Sequence, residues 1–449
     1  MESRYLVDDC YSIMIYYFYI HCDEGEIMNY ESYNKYIQIL KEELVPAMGC
    51  TEPIALAYGA AYAKSLLGKL PDQVSVCVSG NLIKNAKSVF VPNTNGLRGI
   101  PAAVVAGLIA GDYEKKLEVI SQVSEEQQHE ISEYLATHEI KVELSDSSLP
   151  FDYSISLVSG EDSTLVRIVN AHTNIVFAQK NGDVIIDQTV NDEKSDGFTN
   201  HECLNIEDIV EFASNVNLEE ISFCLEQQIN YNEAIAKEGL HGNYGANIGQ
   251  VLLTSYGDNV VNRAKAKAAA ASDARMNGCA LPVVILSGSG NQGITASLPV
   301  IEFAKTMNAS HELLLRSLIV SNLVAIRQKT EIGRLSAFCG GVCAGVGAGA
   351  GICYLEGGRY HEISHTIVNA LAIASGIICD GAKASCAAKI ALSVEAGITG
   401  WYMFKNGQQF RGGDGIVSKG VENTIRNVGR LGHDGMKETD REILKIMTE

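Results

Sequence analysis

The chain has 449 residues, 46% hydrophobic and 20% charged, enough to bury a sizeable core and typical of an ordinary globular protein. Its formal net charge of −19 argues against a nucleic-acid partner, which needs a basic face for phosphates. No apolar run reads as membrane-spanning: residues 11–20 (YSIMIYYFYI) are too few, and they follow Asp8 and Asp9 rather than a basic segment.

Residues 1–27 read as an extension or a mis-called start, with an ordinary helical pattern opening at Met28. Without an export signal the cysteines are expected in a reducing, cytoplasmic compartment, where clustered thiols point to metal or catalysis more than to disulfides. A helix over 29–47 stops at Pro46. Met48-Gly49-Cys50-Thr51-Glu52-Pro53 follows, with Thr51 as the N-cap of an Ala-rich helix that ends at Gly68. Cys50 then sits at a helix N-terminus, where dipole and free amides lower a thiol's pKa. A small buried hydrophobe is the plainer alternative. Residues 73–91 alternate like paired strands, a short hairpin, and Gly99-Ile100-Pro101 opens another small-residue helix.

Composition changes at Asp112. Charged and β-branched residues predict a helix at 114–136 and strands near 139–145, 153–159, 163–170, 174–180 and 183–188, with His172 as a packing or solvent-facing strand residue. The fold class is therefore α+β: a largely helical catalytic domain (28–111 and 201–449) with an inserted α+β domain (112–200).

Beyond Leu204 the pattern is helical. Helices are expected at 206–215, 218–238, 258–277 and 312–330, the third basic and read mainly as a solvated face. Within Leu281 to Ser297, Gly288-x-Gly290-x-x-Gly293 matches a dinucleotide fingerprint only superficially, because no βαβ repeat accompanies it. Its free amides at a helix start suit a carboxylate, with Asn291 and Gln292 beside them. Arg327, Lys329 and Arg334 bring positive charge toward the cysteine-rich stretch 331–389.

That stretch holds Cys339, Cys343, Cys353, Cys379 and Cys386 among small apolar residues. Their spacing fits neither a zinc ribbon nor the single-run ferredoxin motif. On spacing alone a metal site and buried apolar cysteines both stand.

MGCTEPIALAYGAA, GSGNQG, AFCGGVCAGVGAGAG and CDGAKASCAAKI, in this order, resemble the L-cysteine desulfidase family, grouped with UPF0597 and related to the α-subunit of iron–sulfur L-serine dehydratases. The resemblance runs from about Met28 to the C-terminus. It implies an oxygen-sensitive [4Fe–4S] cluster held by Cys339, Cys379 and Cys386, lost in aerobic preparations, with one iron open and Cys50 as the proton acceptor. It implies α,β-elimination of L-cysteine to sulfide and 2-aminoacrylate, which hydrolyses to pyruvate and ammonia. L-Serine dehydration by the same mechanism is the first alternative. Others are a non-catalytic iron–sulfur or redox-sensing protein, with Cys50 or Cys343 as a fourth ligand, and a structural protein with a cysteine-rich core. Glu52 competes with Cys50 as base, and Lys383 is a candidate for neutralising substrate or cluster. The expected partner is a small amino acid, with no nucleic acid or membrane and with homodimerisation left open.

Overall fold

The computed structural model describes residues 30–147, 149–190 and 199–449; the extension expected at 1–27 lies outside them. Helix α1 (Tyr30–Glu43) buries Tyr36, Ile37, Ile39 and Leu40, and the two-residue strand β1 (Pro46–Ala47) follows. Helix α2 (Thr51–Leu67) is buried continuously from Thr51 to Ala61 and ends on Gly68 at φ 83, the left-handed cap that glycine adopts without strain. Its N-cap is Cys50, one position before the expected Thr51.

Strand β2 (Gln73–Val78) leads into α3 (Gly80–Ala86), then α4 (Gly99–Ala110), α5 (Glu125–Thr137) and strands β3 (Ile140–Leu144), β4 (Asp152–Ser159), β5 (Asp162–Val169), β6 (Ile175–Lys180) and β7 (Asp183–Asp187). These form a six-stranded sheet in the order β3-β2-β4-β5-β6-β7, parallel between β2 and β3 and antiparallel elsewhere.

Three local expectations are corrected here. Residues 73–91 are not a hairpin: β3 and β4 occupy both edges of β2, so the chain beyond Val78 turns helical and buries Leu82, Asn85 and Ala86. The helix expected at 114–136 is split. A 3-10 turn (Tyr113–Glu118) carries Lys116 at φ 50, and α5 restarts on a capping box between Ser124 and Gln127. Because β2 comes from before residue 112, the division drawn there falls between strands of a single sheet. His172 lies in the turn between β5 and β6, its ring edge-on to Phe151 at 4.9 Å.

The rest is helical: α6 (Ile206–Asn215), α7 (Ser222–His241), α8 (Ile248–Tyr256), α9 (Val260–Met276), α10 (Gly290–Met307), α11 (His311–Ile332), α12 (Gly340–Leu355), α13 (Tyr360–Ala374), α14 (Cys386–Lys405), α15 (Val421–Arg430) and α16 (Lys437–Thr448), with strand β8 (Val283–Val284) before α10. Mixed α+β and mostly helical, this is the expected class. Among the described residues no helix is long and apolar enough to cross a membrane.

Small residues let the buried helices approach backbone to backbone. A Cβ at Gly349 of α12 would lie 2.7 Å from Gly397 Cα of α14, and one at Gly341 would lie 3.8 Å from Ile390 and Ser393. The contact positions rise together along both helices, so α12 and α14 run in the same direction with their N-termini at one end.

Strand β8 pairs antiparallel with β1, Pro46 opposite Val284, which sets the Cys50 segment beside the Gly288 turn. Buried Asn232 of α7 pins this junction, accepting from Val284 N at 3.0 Å and donating to Ser297 Oγ at 2.9 Å.

Candidate active site

Cys50, Cys339, Cys379 and Cys386, scattered over the sequence, line one narrow cavity of ≈ 100 Å³. The local folding reasons are explicit. Phe338 and Ile378 form an antiparallel bridge, with Cys339 N donating to Ile377 O at 3.1 Å and Cys379 N to Ala337 O at 2.6 Å, so backbone holds these two cysteines side by side. Gly381, at φ 95, turns the chain tightly over Lys84 O, where a side chain would clash. Asp380 beyond the bridge is clamped by Lys383 at 3.1 Å and by Lys389. The turn delivers Cys386 to the first position of α14, where its Sγ lies 3.6 Å from Gly381 O.

Four helix N-termini converge on this cavity. Cys50 is the N-cap of α2, Ser289 of α10 and Cys339 of α12, while Cys386 begins α14; none of the four ends carries a side-chain cap. Uncapped first-turn amides and helix dipoles all place partial positive charge there. Lys84, Arg275, Lys329 and Arg334 add full charges to the same wall. Lys84 is paired with Asp440 of α16, and Arg334 with Glu43 at 2.7 Å. Arg327 lies outside the cavity wall and is neutralised by Glu331 and Glu422, both at 2.8 Å. Among the described residues no carboxylate lies within ion-pair reach of Arg275 or Lys329, which are 2% and 5% exposed. Glu52 is the carboxylate of the wall. The cavity is therefore built for negative charge.

The thiols respond to burial. Burial pushes Cys339 up to about 12, with Cys379 and Cys386 adding to the effect, and raises Cys386 as well. Cys50 does not have the lowered pKa expected at a helix N-terminus. Burial first, and then the Glu52 carboxylate, hold it well above the usual thiol value, with Arg275 opposing. Its Sγ–H donates to Glu52 Oε2 at 3.1 Å, while Asn85 Nδ2 donates to Glu52 Oε1 at 3.3 Å. The Thr51 hydroxyl lies 3.1 Å from Glu52 Oε2 and 3.0 Å from Gly288 O.

The expected substrate-binding set divides. Asn291 and Gln292 line the cavity; Gly288, Gly290 and Gly293 do not. Gly288, at φ 75, makes the turn and borders a separate hollow beside His172 and Arg334. Gly290 makes room for the Arg275 guanidinium, and Gly293 packs on the β8 backbone. Lys383 lies outside the wall, its ammonium committed to Asp380. Buried Cys343 and Cys353 also lie outside it. Arg275 escaped the sequence reading, since nothing local separates it from the other basic residues of α9, among which Arg263 and Lys267 bind Glu302.

Larger hollows lie elsewhere on the molecule. The one of ≈ 550 Å³ beside β4 and β5 has its cation, Arg167, already in a bidentate pair with Asp152 at 3.0 and 2.7 Å.

Do these residues fit an iron–sulfur cluster? Among the described residues no three His, Cys, Asp or Glu side chains converge on a point for a single metal ion. A cubane needs something else, since its irons lie at separate corners and three thiolates must ring it. Cys339, Cys379 and Cys386 around an electropositive cavity supply that donor chemistry, and Lys329 stands next to it without a carboxylate partner.

Comparison with known proteins bears on the same cavity. The family described as serine dehydratase alpha chain matches residues 114–445. A UPF0597 protein of Desulfitobacterium hafniense is 57% identical over 415 residues, 92% of this chain and 96% of that protein. UPF0597 proteins of Lachnoclostridium phytofermentans and Finegoldia magna are 52% and 48% identical, each over 92% of this chain and 99% of their own length. The chain accordingly belongs to the UPF0597 family, and most of its length from residue 114 is a serine dehydratase alpha chain domain.

Proposed function

We propose that the protein is an iron–sulfur lyase that eliminates the β-substituent of a small amino acid, with L-cysteine as substrate. The observation that carries the reading is the shared wall: Cys50, from the N-terminal quarter, lines the same cavity as Cys339, Cys379 and Cys386. Those three thiolates would hold a [4Fe–4S] cluster. Such a cluster, bound through three sulfurs, supplies an iron with an open coordination position that acts as a Lewis acid toward the leaving group.

The chain's own residues handle the proton. The Cys50 thiol passes its hydrogen to Glu52 along their 3.1 Å bond, and the freed sulfur takes the proton from Cα. The Cα–H and Cβ–S bonds break and a Cα=Cβ bond forms, with the sulfur departing on its electron pair. The product 2-aminoacrylate hydrolyses to pyruvate and ammonia. Burial of Cys50 at 2% exposure keeps bulk water from competing for that proton.

L-Serine, losing water in the same way, is the second reading, favoured by the serine dehydratase match over residues 114–445. Thiol is the softer ligand for iron, which places L-cysteine first. A permanent fourth thiolate, as a redox sensor would need, has less support: Cys343 is outside the wall and Cys50 is bonded to Glu52. Anaerobic reconstitution with iron and sulfide, then assay of sulfide and pyruvate from both amino acids, tests the proposal. Sulfide plus pyruvate from L-cysteine is expected. Turnover of L-serine alone would replace the substrate, and turnover of neither would overturn the reading.

A further inference from the structure

Arg275 is the least expected residue of the cavity. It lies in the last turn of α9, a helix whose last turns are wholly buried, and its guanidinium has one hydrogen bond among the described residues, Nη1 to Asn291 Oδ1 at 3.0 Å. Its Nε is buried and bonded to nothing among the described residues. A guanidinium sealed from water without a counter-charge is unfavourable unless a ligand supplies one.

The surroundings are shaped around it. A Cβ at Gly290 would lie 2.7 Å from Arg275 Cζ, so glycine there lets the guanidinium approach the first turn of α10. Gln292, in the same first turn and 5% exposed, has a buried Oε1 with no partner among the described residues. Gln292 lies against the start of α12, where a Cβ at Gly340 would be 2.7 Å from its Cδ. The wall thus offers one planar cation with donors to spare, the amide of Asn291, and an acceptor on Gln292. Lys329, Cys339, Cys379 and Cys386 line the same cavity.

We infer that Arg275, with Asn291 and Gln292, is the subsite for the α-carboxylate and α-ammonium of the substrate. This rests on the elimination reading and deepens it. The carboxylate lies on the Arg275 fork and the ammonium is accepted by Gln292 Oε1, leaving the β-substituent to point toward the cysteine thiols. The turn amides alone, favoured by the sequence, lack the full charge that Arg275 provides. The ligand class is a small α-amino acid with a free carboxylate; the amine lacks the group that Arg275 would bind, and the ester lacks its charge.

The test compares wild type, Arg275→Gln and Arg275→Lys, each reconstituted anaerobically, using L-cysteine, L-serine, L-cysteine methyl ester and cysteamine. Iron content should match wild type in both variants, because Arg275 is not among the thiol ligands. Arg275→Gln should raise KM for the free amino acid at least about 30-fold, as loss of one partner of a buried charge pair does, with kcat changed less. Arg275→Lys should fall between. Added guanidinium at millimolar concentration should partly restore Arg275→Gln. Wild type should discriminate against ester and cysteamine, and Arg275→Gln should lose that discrimination. Unchanged KM in Arg275→Gln, or wild type that binds the ester as tightly as the acid, overturns the inference while leaving the lyase reading intact. If wild type turns over neither amino acid, thermal shift still decides. L-Cysteine or L-serine stabilising wild type but not Arg275→Gln supports the subsite, and equal shifts in both proteins overturn it.

Discussion

The spacing of Cys339 and Cys386 depends on how closely α12 and α14 cross, and Gly345→Ala perturbs that crossing directly. A Cβ at Gly345 would overlap the Ser393 carbonyl and stand 2.8 Å from Ser393 Cβ. Carbon atoms at rest sit about 3.5–4.0 Å apart, so the helices must separate by roughly 1 Å. Overpacking of this kind costs about 1–3 kcal/mol, and alanine's helix advantage over glycine returns about 1 kcal/mol, leaving a net loss of up to about 2 kcal/mol. Position 345 is six residues from Cys339, about 9 Å along the helix axis, so the wedge also tilts the N-termini that carry the thiols. Thermal denaturation should show a fall of a few degrees, and anaerobic reconstitution should show a lower iron content per chain. Gly376→Ala is the control: nothing lies within 4 Å of its Cβ, and it should match wild type in both assays. Wild-type melting temperature and full iron loading in Gly345→Ala would refute the claim that this crossing sets the thiol spacing.

Glu52→Gln keeps the shape of the hydrogen-bonded group around Cys50 but removes its proton acceptor. Turnover should fall about 10²–10⁴-fold with iron content unchanged, and undiminished turnover would remove Glu52 from the reaction. Cys339→Ser, Cys379→Ser and Cys386→Ser should each lower reconstituted iron, read by metal analysis, whereas Cys353→Ser should not. His172 has its pKa lowered to about 4, by burial above all. Its folded value lies below the unfolded value of about 6.5, so between those pH values the unfolded chain binds the extra proton. Stability therefore falls on acidification from about pH 6.5 to about pH 4, by up to about 3 kcal/mol in total. Denaturation of His172→Gln across this window should show a flatter acid limb, and an unchanged limb would assign the acid sensitivity to other groups.

Much of the local architecture was legible in the residues. Alternating β-branched positions place β3 to β7 within a residue or two, and the Gly68 stop of α2 lies where glycine's tolerance of positive φ puts it. The hairpin expected over 73–91 failed because β2 finds its partners at 140–144 and 152–159, a long-range pairing that alternation within one segment cannot reveal. At the site, residue type and helix-start context singled out Cys50, Glu52, Asn291 and Gln292 as candidates, whereas only the family resemblance separated Cys339, Cys379 and Cys386 from Cys343 and Cys353. Tertiary structure decided what they meet. Packing seals Cys50 beside Glu52 and raises its pKa where the helix end alone would lower it. It brings Arg275 inward while Arg263 of the same helix binds Glu302. Caps, turns and periodicities are written within a few residues, so the chain alone carries them. Burial and counter-charge belong to neighbours hundreds of positions away, and exist only once the helices have packed.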